Sequence, residues 1–150
     1  MALKEQLRDD MVAAMKSKDE LRLATLRMAL SAITTEEVAG KVARELSDDE
    51  VVKVVAREAK KRREAAEAFD GAGRGELADR ERAEGAVLED YLPAQLSDDE
   101  IADLVREAIA ATGAADPKAM GQVMKEVQPQ VAGRADGSRV AAEVKRQLAG

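Results

Sequence analysis

Apolar residues recur every three or four positions along most of the chain, and this spacing predicts amphipathic α-helices. The first apolar stripe lies in residues 2–17 and consists of Leu3, Leu7, Met11 and Met15. The second consists of Leu23, Leu26, Leu30 and Ile33. Asp19 can cap the start of this second helix, and Gly40 lies near its end. The first forty residues are therefore predicted to form two helices joined by a short turn.

The pentapeptide Leu-Ser-Asp-Asp-Glu occurs twice, at residues 46–50 and 96–100. A serine followed three residues later by glutamate is a capping box, in which each side chain bonds the backbone of the other residue. The two copies predict a third helix that runs to about Phe69 and a fifth helix that ends at Gly113. We interpret the pentapeptide as one capping signal used twice, and not as an internal repeat.

Three further helices complete the prediction. The fourth follows the turn-rich segment 70–75 and runs from about Glu76 to Tyr91, with Pro93 as its stop. Asp116 and Pro117 form an N-cap and a first-turn proline for the sixth helix, which ends near Val131. Gly133 can adopt a left-handed C-cap conformation, and Asp136 or Ser138 caps the seventh helix.

The predicted fold is all-α, with about seven helices and no strands. The segment from Pro93 to Ser97 is a candidate boundary. Residues 1–92 would form an N-terminal helical domain of four helices. Residues 93–150 would form a small C-terminal domain of three helices.

The composition excludes several classes of catalytic and metal site. The chain has 150 residues, no cysteine and no histidine, and Phe69 and Tyr91 are its only aromatic residues. The core must therefore be aliphatic, and disulfides, zinc fingers, cysteine nucleophiles and histidine bases are excluded. No apolar run suits a signal peptide or a membrane span, so we expect a cytoplasmic protein without a membrane partner.

The net charge of −6 argues against a generic nucleic-acid binder, although a local basic patch is compatible with it. The first candidate patch is the run at residues 57–63, which contains Arg57, Lys60, Lys61, Arg62 and Arg63. These cations could contact phosphates. Alternatively, they form a solvated helix face that the acidic fourth helix neutralises.

The second candidate patch is the segment from Gly133 to Arg139, at the start of a predicted helix. Helix N-termini attract phosphate, and Arg134, Arg139 and the nearby Lys125 would add positive charge. Residues 116–150 contain six basic and four acidic residues, a local balance of +2. Alternatively, the segment is only the turn between two helices. An Asp136 cap would then occupy the backbone amide groups itself, and its negative charge would repel phosphate.

Two other patterns have plain structural explanations. Met120 to Met124 is better explained by core packing than by a ligand groove. The acidic clusters 48–50 and 98–100 are typical of first helical turns, and magnesium binding is the less favoured reading. No nucleotide-binding fingerprint is present, so neither a cofactor nor a metal is expected. With so few aromatic residues, RNA would be recognised by shape and phosphate.

Several motifs together resemble the GatB/YqeY family over essentially the whole chain. They are Leu26-Arg27-Met28 with Ser31-Ala32-Ile33, Glu89 to Ser97, Met120 to Val127, and Gly133 to Ser138. The resemblance implies an all-helical fold whose C-terminal part is similar to the tail of the GatB subunit. GatB belongs to the tRNA-dependent amidotransferases, which amidate misacylated Glu-tRNA(Gln) or Asp-tRNA(Asn) with glutamine and ATP, and its tail helps hold tRNA.

The resemblance, the locally basic C-terminus, the acidic net charge and the scarcity of aromatic residues together lead to three functional hypotheses. The first is a tRNA-associated accessory protein that binds RNA through Lys125, Arg134, Arg139, Lys145 and Arg146. In this hypothesis, Met120, Gly121, Gly133, Asp136 and Gly137 are the structural residues that match the motif of the GatB tail. The second is a helical adaptor that docks on an amidotransferase or an aminoacyl-tRNA synthetase. The third is an amidotransferase component with glutamine as nitrogen donor, but the catalytic core of those enzymes has no counterpart here, and no catalytic residue is assigned.

Overall fold

The computed structural model describes residues 2–150 and confirms the all-α fold with seven α-helices. No strand occurs in this described part of the chain. The helices are α1 (Ala2–Ser17), α2 (Glu20–Glu37), α3 (Asp48–Gly71), α4 (Gly75–Glu89), α5 (Asp98–Thr112), α6 (Met120–Val131) and α7 (Gly137–Leu148). A short 3-10 turn at Pro117–Ala119 precedes α6. Two compact units result, one up to Leu92 and one from Pro93 onward.

Local capping fixes where most helices begin. The Asp19 carboxylate accepts a hydrogen bond from the Arg22 backbone amide at 3.2 Å. Both pentapeptides form complete capping boxes, at Ser47 with Glu50 and at Ser97 with Glu100. Such caps satisfy backbone amides that lack a partner in the first helical turn, and each is worth about 1 kcal/mol.

Some boundaries differ from the prediction. Helix α4 ends at Glu89, before Tyr91, so Pro93 is not its direct stop. Tyr91 instead turns toward α1 and α2, where its hydroxyl donates to Asp10 at 2.5 Å and accepts from Arg22 at 3.2 Å. Helix α3 continues two residues beyond Phe69. Pro117 begins the 3-10 turn and not α6 itself.

The first unit has an aliphatic core, as its composition requires. Its fully buried large side chains come from α1, α2, the segment before α3, α3 and α4, and they are Leu7, Leu26, Ile33, Leu46, Val51, Val55 and Leu88. At the edge of this core, the Lys4 ammonium lies 2.8 Å from both carboxylate oxygens of Glu37. Glu37 also accepts from the Leu46 amide at 3.2 Å, so one carboxylate joins three segments of the unit.

Helices α3 and α4 form an antiparallel hairpin that packs through small residues. Ala59, Ala66, Ala78 and Gly85 are buried in it. A Cβ added at Gly85 would lie 3.5 Å from the Arg62 Cβ, which is ordinary contact. Close approach of the two backbones brings their long charged side chains together. Cations of the basic run on α3 therefore lie within ion-pair distance of acids on α4.

The second unit has its own core, which is built mainly from valine. Its buried residues include Ile101 and Val105 from α5, Val123 and Val127 from α6, and Val140 and Val144 from α7. Gln147 of α7 donates to the Ala102 carbonyl of α5 at 2.9 Å and fastens the end of α7. Within residues 2–150, no helix has the length and apolar character that a membrane crossing requires.

Candidate functional site

The basic run on α3 is paired with acidic residues. Four of its cations form ion pairs, which are Arg57 with Glu36, Lys60 with Glu64, Lys61 with Glu58, and Arg63 with Glu89. Their N–O distances are 3.5, 3.9, 3.0 and 3.4 Å, in that order. The geometry favours a neutralised helix face here over a phosphate-binding surface.

The Arg62 side chain is largely buried. Its side chain is only 11% exposed, and it lies 3.3 Å from Glu84, 3.7 Å from Glu58 and 3.8 Å from Glu81. Arg62 Nε and a Glu81 carboxylate oxygen are buried and lack a hydrogen-bond partner in the described chain. A guanidinium enclosed by three carboxylates is not available to a phosphate, so Arg62 serves the α3–α4 contact.

In the second unit, Arg134 holds the segment that leads into α5. Its side chain donates to the Ala94 carbonyl at 3.2 Å and to the Gln130 carbonyl at 3.4 Å. Its backbone carbonyl accepts from the Leu96 amide at 2.8 Å. Arg134 thus joins the turn after α6 to residues 94–96, which is a structural role that the sequence did not reveal.

Arg139 reaches the same segment from α7. Its guanidinium donates to the Asp98 carboxylate at 2.5 Å and to the Leu96 carbonyl at 3.4 Å. The Asp98 side chain is 91% exposed, so this ion pair is open to water. An open pair of this kind contributes little stability, typically 0–1 kcal/mol, and is easily exchanged for another anion.

Arg146 lies two helical turns after Arg139, and both residues line one cleft. The cleft has a volume of about 350 Å³ and is also lined by Asp98, Ile101, Ala142 and Glu143. Arg146 lies 2.6 Å from Glu143. Hydrogen bonds from Arg146, and secondarily from Gln147, lower the pKa of Glu143. Two of the five predicted RNA-binding residues therefore share a cleft, each beside a carboxylate.

The other predicted RNA-binding residues do not converge on this cleft. Arg134 lines a smaller pocket with Leu96, Glu100, Asp103 and Leu104. Lys125 on α6 and Lys145 on α7 are exposed. Within residues 2–150, neither lysine forms an ion pair or a side-chain hydrogen bond. These two cations are thus available to an anionic partner.

The tail-motif residues divide into two kinds. Gly133 has φ +73°, where other residues are strained, and Asp136 caps α7 by accepting from the Ser138 amide at 3.0 Å. Met120 packs against the core of the unit, as core packing predicts. Gly121 and Gly137 lie beside open space, with no atom within 4 Å of an added Cβ. The fold requires Gly133 and Asp136, whereas it would accept a larger residue at the two exposed glycines.

The acidic clusters act as helix caps. Hydrogen bonds from Arg44, and then from the Ser47 backbone, lower the pKa of Glu50 to about 2. Hydrogen bonds from Ser97 likewise lower the pKa of Glu100. No group of three or more acidic residues in the described chain is arranged to hold a metal ion.

A groove between α1 and α2 was not predicted. It has a volume of about 530 Å³ and is lined by Met11, Arg27, Leu30, Ser31, Thr34 and Thr35. Met11 and Leu30 belong to the predicted apolar stripes, and Arg27 and Ser31 belong to a motif that carries the GatB/YqeY resemblance, but neither pattern predicts a groove. The spacing of Arg27, Ser31 and Thr34 at i, i+4 and i+7 places them on one side of α2, and this was the signal that could have found the groove.

Comparison with known proteins places this architecture in a family. No curated protein matches the chain. The family described as Yqey-like protein matches residues 4–148, which include all or nearly all of every helix of both units. The chain therefore belongs to the Yqey-like protein family.

Proposed function

We propose that the protein is a tRNA-associated accessory protein whose second unit binds RNA phosphates through α6 and α7. The observation that carries the proposal is the contrast between two basic surfaces. The cations of the α3 run face acidic partners, whereas Lys125 and Lys145 are exposed and unpaired within residues 2–150. Phosphate contacts supply much of the affinity for RNA, so unpaired lysines are the more effective anchors.

The charge distribution of the second unit supports this surface. Its acidic residues cluster on α5, at Asp98, Asp99, Glu100, Asp103 and Glu107. Residues 116–150 carry the local balance of +2, against −6 for the whole chain. A polyanion is therefore expected to approach this unit from the side of α6 and α7, away from most of the α5 carboxylates.

Arg139 adds an exchangeable cation to the same proposal. It pairs with Asp98, whose side chain is 91% exposed, so a phosphate group can replace this carboxylate at little cost. Arg146 is bound to both oxygens of the partly buried Glu143, so it adds positive charge near this site but is not easily exchanged. In this proposal, Arg134 holds the turn after α6 against residues 94–96 and does not contact RNA.

The mode of recognition follows from what the second unit contains. Residues 93–150 include no aromatic residue, so bases have no ring on which to stack. Affinity must then come from phosphate contacts and from the shape of a folded RNA. The resemblance to the GatB tail, which helps hold tRNA, supports tRNA as the folded RNA concerned.

Binding of the purified protein to bulk tRNA across a salt series tests the proposal. The logarithm of affinity is expected to fall linearly with the logarithm of salt concentration. Lys125→Glu with Lys145→Glu should weaken binding at every salt concentration and reduce the salt slope by about two, one unit for each lost phosphate contact.

The matched control is Lys41→Glu with Lys53→Glu, two exposed positions in the first unit. It changes the net charge of the protein by the same amount and should leave the slope unchanged. Equal weakening by both double variants would show only a long-range effect of net charge. That result, or absence of binding at low salt, would overturn the proposal.

A further inference from the structure

The α1–α2 groove has an apolar floor that the core leaves partly uncovered. Met11 and Leu30 are partly buried and pack against the core of the first unit. Met15, one turn after Met11 on α1, is 50% exposed but does not itself line the groove. The flexible Met11 side chain can adapt to the apolar side chains of a partner.

The wall of the groove presents one unpaired cation. Arg27 is exposed and forms no ion pair or side-chain hydrogen bond within residues 2–150. The acids at the end of α2 are already engaged, Glu36 with Arg57 and Glu37 with Lys4. Arg27 thus offers an unsatisfied guanidinium, a group that binds carboxylates in a planar two-point geometry.

The two threonines in the wall of the groove have fewer available hydrogen-bond donors than their sequence suggests. The hydroxyls of Thr34 and Thr35 donate to the carbonyls of Leu30 and Ser31, at 3.0 and 2.9 Å. Their donor hydrogens are therefore already used within α2. A ligand would meet apolar surface, acceptor oxygens, the Ser31 hydroxyl and a single positive charge, which suits an apolar stripe with one carboxylate better than a polyphosphate.

From this geometry we propose that the groove binds an amphipathic helix of a partner protein. Two antiparallel helices leave a channel along their contact, into which the side-chain ridge of a third helix fits. The partner helix lays apolar side chains on Met11 and Leu30 and directs an aspartate or glutamate to Arg27. The site lies in the first unit, so it is independent of RNA binding by the second unit.

The test uses the full-length isotope-labelled protein and two synthetic helical peptides. Both peptides carry leucine at every third or fourth position; one has glutamate on the flanks of this stripe and the other has lysine. The glutamate peptide should shift the backbone amide resonances of Met11, Arg27, Leu30 and Ser31, and should bind about tenfold more tightly than the lysine peptide. Arg27→Glu should reverse this preference.

The control variant is Arg74→Glu, which makes the same change of charge at an exposed arginine in the turn between α3 and α4. It should leave the peptide preference intact. Equal binding of the two peptides, shifts that map outside the groove, or no shifts at about 1 mM peptide would each overturn the proposal. So would groove shifts caused by raising the protein concentration alone, which indicate a second copy, or by bulk tRNA in place of peptide.

Discussion

At the scale of single residues, Arg62 shows how burial changes what a charge does. A guanidinium in water can bind an anionic ligand, but one enclosed by Glu58, Glu81 and Glu84 is committed to its own hairpin. Removing Arg62 would leave Glu81 without a cation in the described chain, whereas Glu58 and Glu84 would keep Lys61 and Arg80 as partners. Sequence position alone could not separate Arg62 from the exposed cations beside it.

We expect Arg62→Met to destabilise the protein by about 2 kcal/mol, because Glu81 loses its cation while Glu58 and Glu84 keep only Lys61 and Arg80. Urea unfolding followed by tyrosine fluorescence measures this, since Tyr91 is the only tyrosine. The control is Arg63→Met, whose pair with Glu89 is exposed and should cost less than about 1 kcal/mol. Equal losses in the two variants would contradict the role given to Arg62.

Tyr91 permits a second test on a single group. Burial, and then its hydrogen bond to Asp10, raises the pKa of Tyr91 to about 12. The native state therefore favours the neutral phenol. This contribution to stability is complete below pH 10, the ordinary tyrosine pKa, and is lost as the pH rises toward 12. Ultraviolet titration of the phenolate should give a midpoint near pH 12, and Asp10→Asn should lower it. A midpoint near 10 in the unaltered protein would refute the contact.

At the scale of elements, Arg134 joins two segments of the second unit, although the sequence predicts it as an RNA contact. Arg134 and Arg139 meet residues 94–98 across about forty positions of sequence. Helix starts and stops depend on neighbouring residues, so the two capping boxes and the Gly113 and Gly133 caps could be predicted. Contacts across forty residues depend on packing, and no local signal marks them.

A stability measurement can distinguish a residue with a structural role from a residue that only binds a ligand. Arg134→Ala should lower the stability of the second unit by about 1–2 kcal/mol, because its donors to two backbone carbonyls are lost. Lys125→Ala removes no such contact and should stay within about 0.5 kcal/mol of the unaltered protein. Amide hydrogen exchange in α5, α6 and α7 measures both. If Lys125→Ala proves the more destabilising, the assignment of roles is wrong.

At the scale of the whole molecule, pattern and composition were enough for the architecture but not for the surfaces. Apolar stripes are a property of each helix, and they predicted all seven helices. The neutralisation of the α3 run depends partly on acids opposite it on α2 and α4, and partly on Glu58 and Glu64 within α3 itself. The α1–α2 groove depends on how far two helices separate around Met11 and Leu30. Spacing along one helix shows which residues share a side, but not which residues of another helix lie against them.

The open space around Gly121 has a practical consequence for labelling. The chain contains no thiol, so one introduced cysteine would be the only site of maleimide attachment. Gly121→Cys places that thiol on the exposed side of α6, where an added Cβ meets nothing within 4 Å. The change also replaces a helical glycine with a residue that favours the helix slightly more. A fluorophore there would lie one turn from Lys125, on the helix proposed to meet RNA.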